Sequence, residues 1–222
     1  VGRTSLLREI VRQVYADHGE NLLVGVRLNA YDGLPKPEGW GATTTGEIDF
    51  TEPARLISEL VKDGVAIFNA TAGNPYYQPH LNRPYTSGGY HPPEDRLVSI
   101  ARLLDLSAQM QKAAGKIPVV GVGYSYLRMA APHVAAAAVK NGSVSLAGFG
   151  RLSFANPNFA NDILKKGELD PKEVCTACSG CTHLMRAGQV TGCIVRDKYY
   201  RDLYRQLAKE ESKNGKLMSE GE

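Results

Sequence analysis

Apolar positions recur at helical spacing from almost the first residue, where Leu6, Leu7, Ile10, Val11 and Val14 predict a helix already under way. After the polar turn His18-Gly19-Glu20-Asn21, the run 22–28 has the continuous apolar character of a strand buried on both faces. A loop rich in Gly and Pro follows, over 29–50. Leu56, Ile57, Leu60 and Val61 then mark a second helix, with Thr51 placed to act as N-cap, Pro53 in the first turn and Gly64 as its stop. The run 65–70 predicts a second buried strand.

The same alternation continues downstream. Residues 94–114 predict a third helix and 116–121 a third strand, with Pro118 near its start, where a missing N–H is tolerated. A fourth helix is expected from near Leu127 to the Asn141-Gly142 pair, which has C-cap character. A fourth strand follows over 143–148, a short helix over 156–165, a Cys-containing segment, and a charged amphipathic helix over 196–213 ahead of a polar tail that reads as frayed. Strands alternating with amphipathic helices predict an α/β protein with a parallel sheet of right-handed βα units. Four such units make half of an eight-stranded barrel and leave sheet edges that something else must pair or cover. A doubly wound sheet is the competing architecture.

Composition narrows the classes. With 43% hydrophobic and 22% charged residues the chain belongs with globular proteins rather than disordered ones, and 4 Cys in 222 residues are too few for a disulfide scaffold. Lys and Arg number 26 against 23 Asp and Glu, and no basic run concentrates them, so nothing points to a nucleic-acid partner. Apolar runs such as 117–122 and 135–139 are far shorter than the roughly 20 residues of a membrane span. No basic-then-apolar leader opens the sequence, and a soluble cytoplasmic protein is the expectation. The length lies between one ordinary domain and a full (β/α)8 barrel of about 250 residues.

All four cysteines fall in one pattern: Cys175, Cys178 and Cys181 at two-residue gaps, with Cys193 downstream. Thiolates so spaced converge from one side of a short turn, and a fourth can close the coordination, which suits an iron–sulfur cluster. An all-cysteine zinc site is the alternative, although zinc usually recruits two separated C-x-x-C pairs. Gly121 and Gly123 close the third strand, and Gly148 and Gly150 with Arg151 close the fourth. Gly-rich strand ends of this kind cradle phosphate through exposed backbone N–H groups, and tight βα turns also use Gly for backbone reasons alone. Arg27 interrupts an apolar strand, so it either faces an anion at the mouth of the sheet or bridges to an acidic neighbour.

Between 71 and 93 lies a long loop carrying four Tyr and two His. Loops of this length are usually functional, so Tyr76, Tyr77, His80, Tyr85 and Tyr90 are candidates to line a substrate pocket, with His80 or His91 as proton donor; the same composition also suits a loop that packs on itself. His18, His133 and His183 show no partner pattern and are assigned to surface or helix packing.

Together these residues resemble the C-terminal half of the old yellow enzyme family of NADH:flavin oxidoreductases, in the iron–sulfur branch that includes 2,4-dienoyl-CoA reductase and trimethylamine dehydrogenase. The resemblance rests on Val24-Gly25-Val26-Arg27-Leu28, on Gly121-Val122-Gly123, on the stretch from Gly150 to Pro157, on Gly73-Asn74-Pro75-Tyr76-Tyr77 with Asn82-Arg83-Pro84, and on the four cysteines. Leu152 and Asn156 stand where the family usually has Pro and Asp. The resemblance implies the C-terminal half of a TIM (β/α)8 barrel over 1–170, its strands matching the fifth to eighth, and a cluster-binding extension over 171–222. It implies FMN held by Arg27, Gly121, Gly123, Gly150 and Arg151, and a 4Fe-4S cluster held by Cys175, Cys178, Cys181 and Cys193.

Hydride transfer through the flavin, to or from an unsaturated or amine substrate, is the implied reaction, with the cluster relaying single electrons and NAD(P)H admitted as donor. The missing N-terminal barrel half would come from the same or a separate chain and would carry the usual proton donor. An electron-transfer partner and an oligomeric state are also implied. Two rival readings remain: a non-catalytic iron–sulfur electron-transfer subunit, and a zinc-stabilised barrel that binds a phosphorylated metabolite.

Overall fold

A computed structural model describes residues 2–19, 21–87 and 90–213. The polar tail lies outside the described residues, as do Glu20 in the first turn and two glycines of the Tyr-rich loop. Four parallel strands, β1 (Gly25–Asn29), β2 (Ile67–Thr71), β3 (Val119–Gly121) and β4 (Leu146–Ala147), form one sheet in the order β1-β2-β3-β4. Register pairs Arg27 with Asn69 and Asn29 with Thr71 across β1 and β2, Val120 with Leu146 across β3 and β4. Sequential parallel neighbours joined through helices follow directly from the alternating pattern, and the α/β class is as expected.

Helices α1 (Gly2–His18), α2 (Thr51–Lys62) and α4 (Arg96–Ala114) cover one face of this sheet, and the short α3 (Pro79–Asn82) interrupts the Tyr-rich loop. Leu56, Ile57 and Leu60 of α2 and Leu103, Leu106 and Met110 of α4 interlock there with Val26, Leu28, Phe68 and Val119. Their i, i+3, i+4 spacing puts each set on one helix face, as a core stripe requires. The apolar positions of α1 divide instead: Val11 is buried with Leu7 and Val14 partly so, while Leu6 is 73% exposed. An Arg8–Asp63–Arg12 ion-pair cluster, with Arg8 also on Glu59, ties α1 to the end of α2.

Several expectations need correction. The run 22–28 is not a strand buried on both faces. Leu23 is 83% exposed, the strand starts only at Gly25, and burial alternates along it, with Val26 and Leu28 inward and Arg27 outward. The same alternation holds in β2. The physical reason is that helices cover one face while the other carries Arg27, Asn69 and Thr71. Thr51 is the first residue of α2 rather than its cap; its N–H donates to Asp49 Oδ1 at 3.1 Å. Hydrogen bonds from Thr51 and Lys36 hold the Asp49 carboxyl down, to about 2.

The helix expected from Leu127 starts as a 3-10 stretch, Tyr124–Ala130, broken by the left-handed Arg128, before α5 (Ala131–Lys140). Downstream the expected single short helix is two, α6 (Arg151–Ala155) and α7 (Phe159–Lys166), and the Cys segment contains α8 (Gly180–Arg186) before α9 (Lys198–Lys213). Asn156 is outside both helices; its amide donates to Asp162 while its carbonyl accepts the N–H of Asn158. Among the described residues no helix is long and apolar enough to cross a membrane.

Candidate functional site

The face of the sheet left open by the helices leads into a cleft of about 430 Å³ at the C-terminal ends of the strands, where parallel α/β sheets bind their ligands. Its polar lining comes from Arg27 of β1, Asn69 of β2, Asn82 and Arg83 of the Tyr-rich loop, Gly123 after β3, and Gly148, Gly150 and Arg151 after β4. Leu103, Val122, Phe149, Phe154 and Met185 supply apolar wall, and Cys181 with Thr182 closes one end. Among the described residues no Asp or Glu lines the cleft. Three guanidinium groups with no carboxylate among these lining residues concentrate positive charge in the cleft, which favours an anion.

Each arginine is held by neutral groups. Arg27 donates to Asn69 Oδ1 and, at 3.2 Å, to Thr71 Oγ1. That excludes the acidic bridge as the reason for its position in the strand. Arg83 donates to Thr182 Oγ1 at 2.6 Å, and Arg151 to the Pro84 carbonyl at 2.6 Å. Burial holds the Arg83 guanidinium below its ordinary range, and repulsion from Arg186 and Arg151 adds to this. Burial lowers Arg151 as well, opposed by the nearby Cys175, Cys181 and Cys178.

The strand-end glycines have different physical grounds. Gly123 has φ of 105°, a left-handed backbone that favours Gly. A Cβ on Gly148 would stand 2.9 Å from Val120 Cγ1 and 3.1 Å from the Gly121 carbonyl, so only Gly lets this chain turn lie against β3. Gly121 does not reach the cleft; its missing side chain makes room for Val144 and for the ring hydroxyl of Tyr124. Gly150 does line it, and a Cβ there would meet nothing within 4 Å, so open space toward the cleft is its local property.

Tyr76 and His80 are not in the cleft lining. Tyr76 is 73% exposed on the loop surface, and His91 is exposed as well. His80 is 2% exposed, shares a hydrogen bond between Nδ1 and the Tyr90 hydroxyl at 2.9 Å and has Glu94 3.5 Å from Nε2. Glu94 is in turn clamped by Arg102 and Ser99. This buried chain of polar groups anchors the loop. His183 packs edge-on against Tyr204 and pairs with Glu211 at 3.2 Å, joining α8 to α9.

In the Cys segment, Ala177 and Ser179 both adopt positive φ, 56° and 62°, which wraps the chain tightly between Cys175 and Gly180. The Ala177 N–H points at Cys175 Sγ, 3.3 Å away. The downstream Cys193 strand of chain is brought in by Gly180, where a Cβ would stand 2.2 Å from Ile194 Cδ1, and by the Thr191 hydroxyl, which donates to the Cys181 carbonyl. Burial pushes the thiols of Cys175 and Cys181 up; Cys181 and Cys193 add to the shift at Cys175, and Cys178 adds to it at Cys181. The four thiols therefore share one electrostatic neighbourhood, although no three His, Cys, Asp or Glu side chains among the described residues are arranged to hold a metal ion. The donor set is all thiol and one backbone N–H points at a sulfur, so the chemistry of the set, though not its arrangement in this structure, is that of an iron–sulfur ligand set.

Asn69 and Thr182 are cleft residues that the motifs did not single out, and Arg83 entered only within the Asn82-Arg83-Pro84 motif, with no site role assigned. Asn69 carried a usable signal, a polar side chain inside an apolar strand run, as Arg27 did. No family model and no curated protein matches this chain.

Proposed function

We propose that this chain supplies the flavin phosphate site and the cluster site of an FMN- and 4Fe-4S-dependent oxidoreductase of the old yellow enzyme type, built on the C-terminal half of a (β/α)8 barrel. The observation that carries the reading is the single cleft in which three arginines and two Gly-rich strand ends meet Cys181 with no carboxylate among them. An anionic, phosphate-bearing ligand suits that lining. Bound there, FMN supplies hydride transfer and the cluster supplies one-electron transfer. Gly123 and Gly150 offer backbone approach, Arg151 and Arg83 offer charge, and Arg27 stands where it favours negative charge on the ligand.

The half-barrel reading draws support from the sheet. A parallel sheet is ordinarily covered on both faces, whereas here one face carries the exposed Arg27 and Gly25, and among the described residues β1 and β4 each pair on one side only. A further set of βα units, from the same or a separate chain, would pair those edges and close the barrel over the polar face.

Among the described lining residues there is no His, Tyr, Lys, Asp or Glu to deliver a proton. That favours a second reading, in which this chain holds cofactors and passes electrons while the substrate chemistry lies on another polypeptide. Anaerobic purification, with iron and sulfide added back, tests both. Stoichiometric FMN with iron and acid-labile sulfide is expected; zinc without iron, or no preference for FMN over riboflavin, overturns the proposal. Turnover of an unsaturated or amine substrate by the loaded chain alone separates enzyme from electron-transfer subunit.

A further inference from the structure

The Tyr-rich loop and the Cys turn are joined by a dense set of hydrogen bonds that the cofactor sites themselves do not require. The Thr86 N–H donates to the Ala177 carbonyl at 2.9 Å, and the Thr86 hydroxyl reaches the carbonyls of Thr176 at 3.0 Å and Ala177 at 3.2 Å. The Ser87 hydroxyl donates to the Cys178 carbonyl at 3.3 Å. Arg83 bonds Thr182 just past Cys181 at 2.6 Å. These contacts span about 90 residues of sequence; they grip Ala177 directly and flank Ser179 on both sides, the two positive-φ residues of the turn, which are costly conformations for side-chain-bearing residues. Such a turn persists only where its surroundings hold it.

We propose that Thr86, with Arg83, is a positioning residue that holds the Cys175–Cys181 turn in its observed shape. The inference rests on the cluster reading for its functional meaning but not for its geometry. Thr86 touches carbonyls of the turn and none of the thiols, so it acts through the backbone. The same loop donates Arg83 to the cleft lining, which makes the loop the common support of both sites.

The test compares Thr86→Val, which keeps shape and loses the hydroxyl donor, with Thr86→Ser, which keeps it. Two readouts are taken on the full chain. Amide hydrogen exchange over 175–181, measured without added metal, is expected to be roughly tenfold faster in the Val variant and unchanged in the Ser variant, as loss of one net hydrogen bond predicts. After anaerobic loading with iron and sulfide, iron loss to a chelator should accelerate in the Val variant and return to the wild-type rate in the Ser variant, with FMN affinity unchanged. Wild-type exchange over 175–181 in the Val variant overturns the proposal. If the wild-type chain takes up no iron, the cluster reading fails, and hydrogen exchange alone still decides whether the latch exists. Far-UV circular dichroism confirms that each variant is folded, and Ser87→Ala provides a second, milder break in the same contact, expected to speed exchange in the same segment.

Discussion

Arg27 offers the sharpest separation of binding from folding. Its guanidinium is on the exposed face of β1, and its protein partners, Asn69 and Thr71, are neutral. Replacing it with Met in Arg27→Met removes a charge that no carboxylate among the described lining residues offsets. The two freed acceptors remain on the face the helices do not cover, where water can replace the guanidinium, so the stability loss should stay below about 1 kcal/mol, or about 2–4 °C in Tm for a chain of this size. A ligand group that accepts hydrogen bonds from this charged donor loses about 1.5–3 kcal/mol, roughly 10- to 150-fold in Kd.

The open position of Arg27 puts the expected effect near the lower bound, about tenfold. Fluorescence titration with FMN and with riboflavin measures it directly. If Arg27 faces the ring of the flavin, as the resemblance to the old yellow enzyme family implies, both ligands weaken equally. A loss confined to FMN would move Arg27 to the phosphate end, and unchanged affinity for both would refute the reasoning. A fall in Tm larger than the stated range would refute it differently, by showing that Arg27 is a structural residue.

Three further outcomes are expected. Gly64 has φ of 106°, and a Cβ there would stand 2.4 Å from the Tyr15 ring; Gly64→Ala should lower stability by about 2–4 kcal/mol in urea unfolding, from left-handed strain and overpacking together. Burial lowers the pKa of His80, opposed by Glu94 and aided by Arg102, so below the ordinary imidazole value of 6.5 the unfolded chain binds more protons than the folded one. Stability is then full above that value and falls as pH drops beneath it, by at most about 1.4 kcal/mol per pH unit; Tm measured from pH 7.5 to 5.5 should lose this component in His80→Asn, whose Oδ1 can still accept from Tyr90. Gly180→Ala should push Ile194 and with it the neighbouring Cys193 out of place, reducing iron retained after reconstitution while leaving FMN affinity in place, and Ile194→Ala in the same chain should restore the iron.

The α/β class and the four strands were legible because the helix stripes are strong: Leu56, Ile57 and Leu60, like Leu103, Leu106 and Met110, repeat at the helical period and meet the same strand face. What the pattern misrepresented was the other face. A continuous apolar run reads as doubly buried, and only Arg27 and Asn69 inside those runs betray a face that carries polar groups. Elements of four to seven residues, α3, α6 and α8, are too short for periodicity to emerge. The cleft was half legible: Gly123, Gly150, Arg151 and Cys181 could be named from motifs, but Arg83 and Thr182 meet through a contact 99 residues apart, and no local pattern encodes such a pairing.

The electrostatics of the cleft tie binding to folding. Partial burial and repulsion from Arg186 and Arg151 depress Arg83, and the half-buried Arg151 stands beside thiols that are themselves pushed toward their neutral form. Without an anion, the folded chain therefore bears uncompensated positive charge where dehydration makes it most costly. An anionic ligand removes that penalty only in the folded state, so its affinity contains a share of folding free energy and its binding must raise stability as mass action requires. The same reasoning places the Tyr-rich loop at the centre: it carries Arg83 into the cleft, accepts Arg151 on the Pro84 carbonyl and grips the Cys turn through Thr86.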